Sequence, residues 1–169
     1  MQASFFLTGN FAKAYPDLAP RLAAAGRLGN HTVSHPHMTT LTNKQVRAQV
    51  SRARVIIRDL AGEGTKPLFR FPYGEYDSRT LGIVNNMGWA AIGWTVDSRG
   101  WMGTANGNTV RAVVSRVVAA RTRGEIVLMH LGSNPDDHST LDAKALPRII
   151  DRLRHYGYSF VTLRILLKQ

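Results

Sequence analysis

Short apolar runs alternate with segments of helical periodicity along all 169 residues, and that alternation leaves few folds open. Residues 4–7, 68–71, 90–94, 126–129 and 159–163 read as strands. Between them lie helical segments with their own start and stop signals. Residues 15–25 form a predicted helix with Pro16 in its first turn and Gly26 as its stop. Thr42 and Gln45 have capping-box spacing. The helix they start carries Val46, Val50, Ile57 and Leu60 on one face and ends at Gly62. Residues 78–87 place Leu81, Val84 and Met87 inward, and Gly88 closes that helix. Thr109 caps a Val-rich helix (Val110, Val113, Val114, Val117, Val118) that the sequence carries to Gly124. Residues 141–156 form a helix that must accommodate Pro147, with a kink. Residues 126–129 are apolar without a break, as a strand covered on both faces should be. Repeated strand–helix units specify a single α/β domain with parallel strands, as an open sheet or a barrel.

Composition removes several function classes. Hydrophobic residues make up 44% of the chain, which argues against disorder. There is no cysteine, so disulfide scaffolds, thiol catalysis and Cys-based zinc sites are excluded. No apolar run reaches the roughly 18 residues of a membrane span, and the start lacks the basic and apolar regions of a signal peptide. The formal net charge is +11, which favours anionic partners. The arginines are spread along the chain, however. The densest group, Arg47, Arg52, Arg54 and Arg58, reads as a solvated helix face, and no nucleic-acid-binding motif accompanies it.

The unusual polar residues fall at strand ends, where α/β sheets and barrels build their sites. His31 and His35 follow the short stretch around Leu28. Arg70, Tyr73 and Gly74 follow residues 68–71, and Asp97 follows residues 90–94. His130 follows residues 126–129, and Trp101 lies in the long Gly-rich loop 95–108. Four separate segments thus deliver chemistry-bearing residues to one rim. Two histidines four apart, on one face of a helical turn, would stand about 5–6 Å apart at Cβ. That spacing suits two ligands of one zinc ion, which also needs a third protein ligand and an open position. Taken alone, the same spacing more often marks surface or capping histidines. Arg70 could pair with a buried carboxylate, Trp101 could stack on a sugar or a base, and His130 could be a satisfied core histidine.

In order and spacing, these segments resemble the polysaccharide deacetylase family (NodB-homology domain, carbohydrate esterase family four). The matching segments are Ser4-Phe5-Phe6-Leu7-Thr8-Gly9, His31-Thr32-Val33-Ser34-His35-Pro36 and Arg70-Phe71-Pro72-Tyr73-Gly74. They continue through Trp94-Thr95-Val96-Asp97-Ser98-Arg99, Ile126-Val127-Leu128-Met129-His130 and the end from Gly157 to Leu163. The resemblance implies a distorted (β/α)7-type barrel. It implies removal of acetyl groups from chitin, peptidoglycan or xylan, outside the cell or in its envelope. It implies one divalent metal, usually zinc, although such ligands also accept cobalt, nickel or manganese. On this resemblance His31 and His35 are metal ligands, His130 is the acid that protonates the leaving amine, and Arg70 orients the catalytic carboxylate. The backbone N–H of Tyr73 serves the oxyanion, and Trp101, with Tyr73, walls the sugar groove.

Two departures shape the expectation. The family begins with a strand ending in an Asp-Asp pair that supplies the base and the third metal ligand. Here nothing before Phe5 is acidic, and the first Asp is Asp17, within a predicted helix. The sequence therefore implies a domain without that first strand, and as alternatives a deacetylase fragment or an inactive glycan-binding relative. Where the family carries an Asp just before the tryptophan, this chain has Gly100, which leaves Asp97 as the expected partner of His130.

Overall fold

A computed structural model describes residues 3–167, which fall into two compact units. The first comprises residues 1–93 and 160–169, and the second residues 94–159.

In the first unit four parallel strands lie in chain order: β1 (Ala3–Leu7), β2 (Gly26–Asn30), β3 (Leu68–Phe69) and β4 (Ala90–Ala91). The β1–β2 pairing is close. A Cβ on Gly26 would meet the Ala3 carbonyl oxygen at 2.2 Å, and one on Gly29 would meet the Phe6 ring at 2.5 Å. Four helices accompany the sheet: α1 (Gly9–Ala14), α2 (Leu18–Ala25), α3 (Asn43–Ala61) and α4 (Ser78–Asn86). The helix expected over 15–25 begins later, at Leu18, and a further helix, α1, precedes it where none was expected. Thr8 caps α1 by accepting from the Phe11 N–H at 3.0 Å, and a turn at 15–17 leads into α2 with Asp17 at its N-cap. The expected signals of α3 are all present. Its capping box joins Thr42 and Gln45, and Gly62 closes it at φ 71°. Its inner face spans two clusters of the core. Val46 and Val50 pack with Met38, Phe69, Phe71, Val84 and Trp89. Ala53, Ile57 and Ala61 pack with Leu7, Ala12, Ala19 and Leu28.

In the second unit β5 (Val96–Asp97) pairs in parallel with β6 (Val127–Leu128). Helices α5 (Val110–Ala119) and α6 (Leu141–His155) pack through Val113 and Val117 against Leu141, Ala145, Ile149 and Leu153. Thr109 caps α5 as expected, but the helix stops at Ala119, short of Gly124, which sits at φ 75° in the following turn. Helix α6 runs through Pro147.

The α/β class with parallel strands is as the sequence implied; β3, β4 and β6 are shorter than their apolar runs, while β1 starts one residue earlier than expected. The strand expected over 159–163 is not one: residues 159–162 carry no strand, and Leu163–Leu167 forms a 3-10 turn. An apolar run marks a face to be covered, whereas a ladder also needs a neighbouring backbone. Among the described residues no helix is long and apolar enough to cross a membrane.

Ile57 is fully buried and Val55, on the same helix, is 45% exposed. Ile57→Ala should cost about 2–5 kcal/mol, and Val55→Ala no more than about 0.5 kcal/mol, in chemical denaturation followed by circular dichroism.

Candidate active site

In the first unit the site is built around Asn30, the last residue of β2, which is fully buried. Its side-chain NH₂ donates to the Val50 carbonyl of α3 at 2.8 Å, and its Oδ1 accepts from the Thr32 N–H at 2.9 Å. The next residues are not the helical turn that the His-x₃-His spacing suggested. Thr32 and His35 take left-handed backbone, at φ 69° and 58°. The loop is tied down on both sides. The His31 N–H donates to the Leu7 carbonyl at 2.9 Å, and Gln49 Oε1 accepts from Val33 at 2.9 Å and from Ser34 at 3.2 Å. His35 donates its N–H to Thr32 Oγ1 at 3.0 Å. The His31 and His35 ring centres lie 4.7 Å apart. His31 Nδ1 is 2.8 Å from the Arg70 carbonyl oxygen. A carbonyl can only accept, so Nδ1 carries the hydrogen and Nε2 the lone pair.

Arg70 is 8% exposed. It donates from Nε to the Ile92 carbonyl at 3.1 Å and from Nη2 to that of Gly93 at 3.0 Å, and its guanidinium lies 4.2 Å from the centre of the Phe6 ring. Burial pushes its pKa down to about 10, so it remains a cation at neutral pH. Tyr73 holds φ 58°, a conformation costing a non-glycine residue roughly 1–2 kcal/mol. Its ring stacks on His37 at 4.3 Å and meets His35 edge-on at 4.4 Å. The turn's own hydrogen bonds use the N–H groups of Gly74 and Glu75, not that of Tyr73. His37, bound at 2.7 Å to Glu75, carries no sequence signal beyond its closeness to His35.

In the second unit Asp97 accepts from the Arg99 N–H at 2.8 Å and from the Trp101 indole at 3.2 Å. Trp101 is half exposed, and its ring centre lies 6.2 Å from that of His130. The carboxylate found beside His130 is Asp142, in the first turn of α6. It accepts the His130 N–H at 2.8 Å, and its Oδ2 stands 3.8 Å from His130 Nδ1. Nothing in the local sequence marks Asp142, which reads as an ordinary acidic residue at a helix start. A cleft of about 250 Å³ is lined by Trp101, His130, Leu131, Asn134 and Asp142, among others. Its wall is braced by Asp137, which accepts from the Thr104 N–H at 2.5 Å and its hydroxyl at 2.6 Å, and from the Ser139 N–H at 2.9 Å. These bonds hold the Asp137 carboxyl well below the usual range.

The structure thus brings His31, His35, Arg70 and Tyr73 together in one unit, and Asp97, Trp101 and His130 in the other. Two imidazoles this close, one with its tautomer fixed, suit a shared divalent cation. Among the described residues no group of three His, Cys, Asp or Glu forms a complete protein ligand set.

A family model described as polysaccharide deacetylase matches residues 1–92. A chitooligosaccharide deacetylase of Azorhizobium caulinodans is 31% identical over 170 residues, spanning 95% of this chain and 79% of the relative. Among solved structures, the Bc1960 peptidoglycan N-acetylglucosamine deacetylase matches with a TM-score of 0.86 at 30% identity, covering 96% of this chain and 73% of that one. A family 4 carbohydrate esterase from Streptomyces lividans matches at 0.82 and 31%, covering 96% and 79%. The chain belongs to the polysaccharide deacetylase family, in its NodB-homology, carbohydrate esterase family four branch.

Asn30→Leu keeps the volume but orphans the Thr32 N–H and removes the second donor to the Val50 carbonyl, which keeps its helical bond. It should cost about 1–3 kcal/mol in denaturation. For Asp137 the folded carboxyl titrates below the unfolded one, so its contribution is present above about pH 4 and lost as pH falls. Between about pH 4.5 and 2.5, the urea midpoint of the wild type should fall more steeply than that of Asp137→Asn.

Proposed function

We propose that this polysaccharide deacetylase hydrolyses the N-acetyl groups of an amino-sugar polymer, chitin-like or peptidoglycan, with the help of a divalent metal, zinc in the first instance. The observation that carries this is the His31–His35 pair, with His31 fixed through Nδ1 on the Arg70 carbonyl. The relatives support the substrate class by the names they bear: one is a chitooligosaccharide deacetylase and another a peptidoglycan N-acetylglucosamine deacetylase. A bifunctional xylanase/xylan deacetylase of Cellvibrio japonicus, 30% identical over 154 residues, keeps O-acetyl xylan as the alternative. Polymers of this kind lie in cell walls, so the proposed place of work is outside the cell or in its envelope. The +11 charge would favour an anionic wall surface.

His31 and His35 would hold the metal. When bound, it would polarise the acetyl carbonyl and acidify a water molecule. The rest would fall to the chain's own side chains and backbone. The Tyr73 N–H donates to the developing oxyanion. Its left-handed backbone fixes the direction of that N–H ahead of the reaction. The buried Arg70 cation would orient the carboxylate that takes the proton of the attacking water. His130 gives a proton to the leaving amine, a role suited to a group that titrates near neutrality. The exposed rings of Trp101 and Tyr73 offer flat apolar faces to sugar rings.

The test is metal content by elemental analysis, together with acetate release from chitooligosaccharides, peptidoglycan fragments and acetylated xylan. About one zinc per chain is expected, lost in His31→Ala, with acetate released from the amino-sugar substrates and abolished by the same change. Release from xylan alone would move the substrate to O-acetyl esters. Glycan binding without release would make the chain a binding relative instead of an enzyme.

A further inference from the structure

We propose that Asp142 replaces in space the carboxylate that the sequence lacks at position 100, and acts as the positioning residue for His130. The inference rests on the reading of His130 as proton donor. Gly100 is glycine for space and not for backbone freedom, since its φ lies outside the left-handed region. A Cβ built on Gly100 would fall 2.1 Å from Asp142 Oδ1 and 2.4 Å from Cγ. The Asp142 carboxylate therefore occupies the place where any side chain at position 100 would begin. The two positions are mutually exclusive sources of one negative charge.

That carboxylate is built in, not incidental. Asp142 is 5% exposed, and its Oδ1 is buried with no hydrogen-bond partner among the described atoms. An ionised oxygen in that state is costly unless a cation or a donor stands by. His130 brings both to the same carboxylate through its other oxygen, Oδ2. Its N–H anchors Oδ2, and its ring Nδ1 lies 3.8 Å away, close enough for a small ring movement to close the contact. The first turn of α6 adds the favourable end of a helix dipole to the same charge. Of the residues lining the cleft, His130 and Asp142 are the ionisable ones. The other charges nearby are engaged elsewhere: Asp97 with the Trp101 indole, Asp137 with Thr104, and Arg116 of α5 with the Ser98 carbonyl. Asp142 is thus the anion that raises the proton affinity of His130 and selects its tautomer.

The experiment is a pH titration of the His130 ring by NMR on the full chain with labelled histidine, His130→Gln supplying the assignment. Kinetics of acetate release are measured on the same proteins. In Asp142→Asn, which keeps the shape, the His130 midpoint should fall by about one pH unit. The alkaline limb of kcat should move down with it, while KM changes little. In the double variant Gly100→Asp, Asp142→Ala, both should return toward wild type. Gly100→Asp alone should be destabilised by the overlap. A role confined to holding the His130 N–H would lower stability without moving the midpoint. An unmoved midpoint in Asp142→Asn overturns the proposal, as does a double variant, folded by circular dichroism, whose midpoint does not recover. If no variant and no wild type releases acetate, the catalytic reading fails, while the titration still decides the pairing.

Discussion

The geometry of the histidine loop depends on one buried amide. Asn30 ends β2 inside the core and divides its side chain between two obligations: the carbonyl of Val50 on α3 and the N–H of Thr32 just beyond the strand. Residues that follow a strand leave its ladder, and their N–H groups must find other partners. Here the amide supplies them and turns the chain sharply enough that Thr32 and His35 enter the left-handed region. Strain at both residues is tolerated because the surroundings over-determine it: Leu7 and Gln49 hold the loop backbone, and Arg70 holds the His31 ring. The rings of His31 and His35 owe their 4.7 Å approach to this bracing and not to a helical repeat.

Charge is managed differently in the two units. In the first, a buried guanidinium is held by carbonyl oxygens of the chain leaving β4. In the second, carboxylates do the organising. Asp97 fixes the indole, Asp137 fixes a wall of the cleft, and Asp142 sits under the histidine backbone. Each takes its hydrogen bonds from backbone N–H groups or short donors, a cheap way to keep a charge in one place.

Legibility from sequence followed the range of the interaction that decides each feature. The capping box at Thr42, the Thr109 cap and the inner face of α3 are set within a few residues, and the sequence displays them. The start of α1 is equally local, at Thr8, but it follows β1 so closely that strand and helix signals overlap. The strands were readable as places and not as lengths, since length depends on a partner: residues 159–163 have the pattern of a strand but carry none. Of the site, the residue types and their order were visible. The backbone at His35, the embrace of Arg70 by Ile92 and Gly93, and the presence of Asp142 beneath His130 were not. Each of these is decided by a contact more than ten residues away in the chain.

Gly29, Phe6 and Arg70 form a stack whose members sit in three different strands or at their ends: the Phe6 ring covers the bare Cα of Gly29, and the Arg70 guanidinium covers the ring. The stack works as a spacer, transmitting the thickness of one residue to the next. One added methyl group at Gly29 would be felt as a displaced cation two layers above. Sequence variation at this glycine should therefore be filtered by the requirements of the arginine, although the two lie 41 positions apart in the chain. Such a substitution would change no chemical group of the site, and inspection of the catalytic residues alone would miss it.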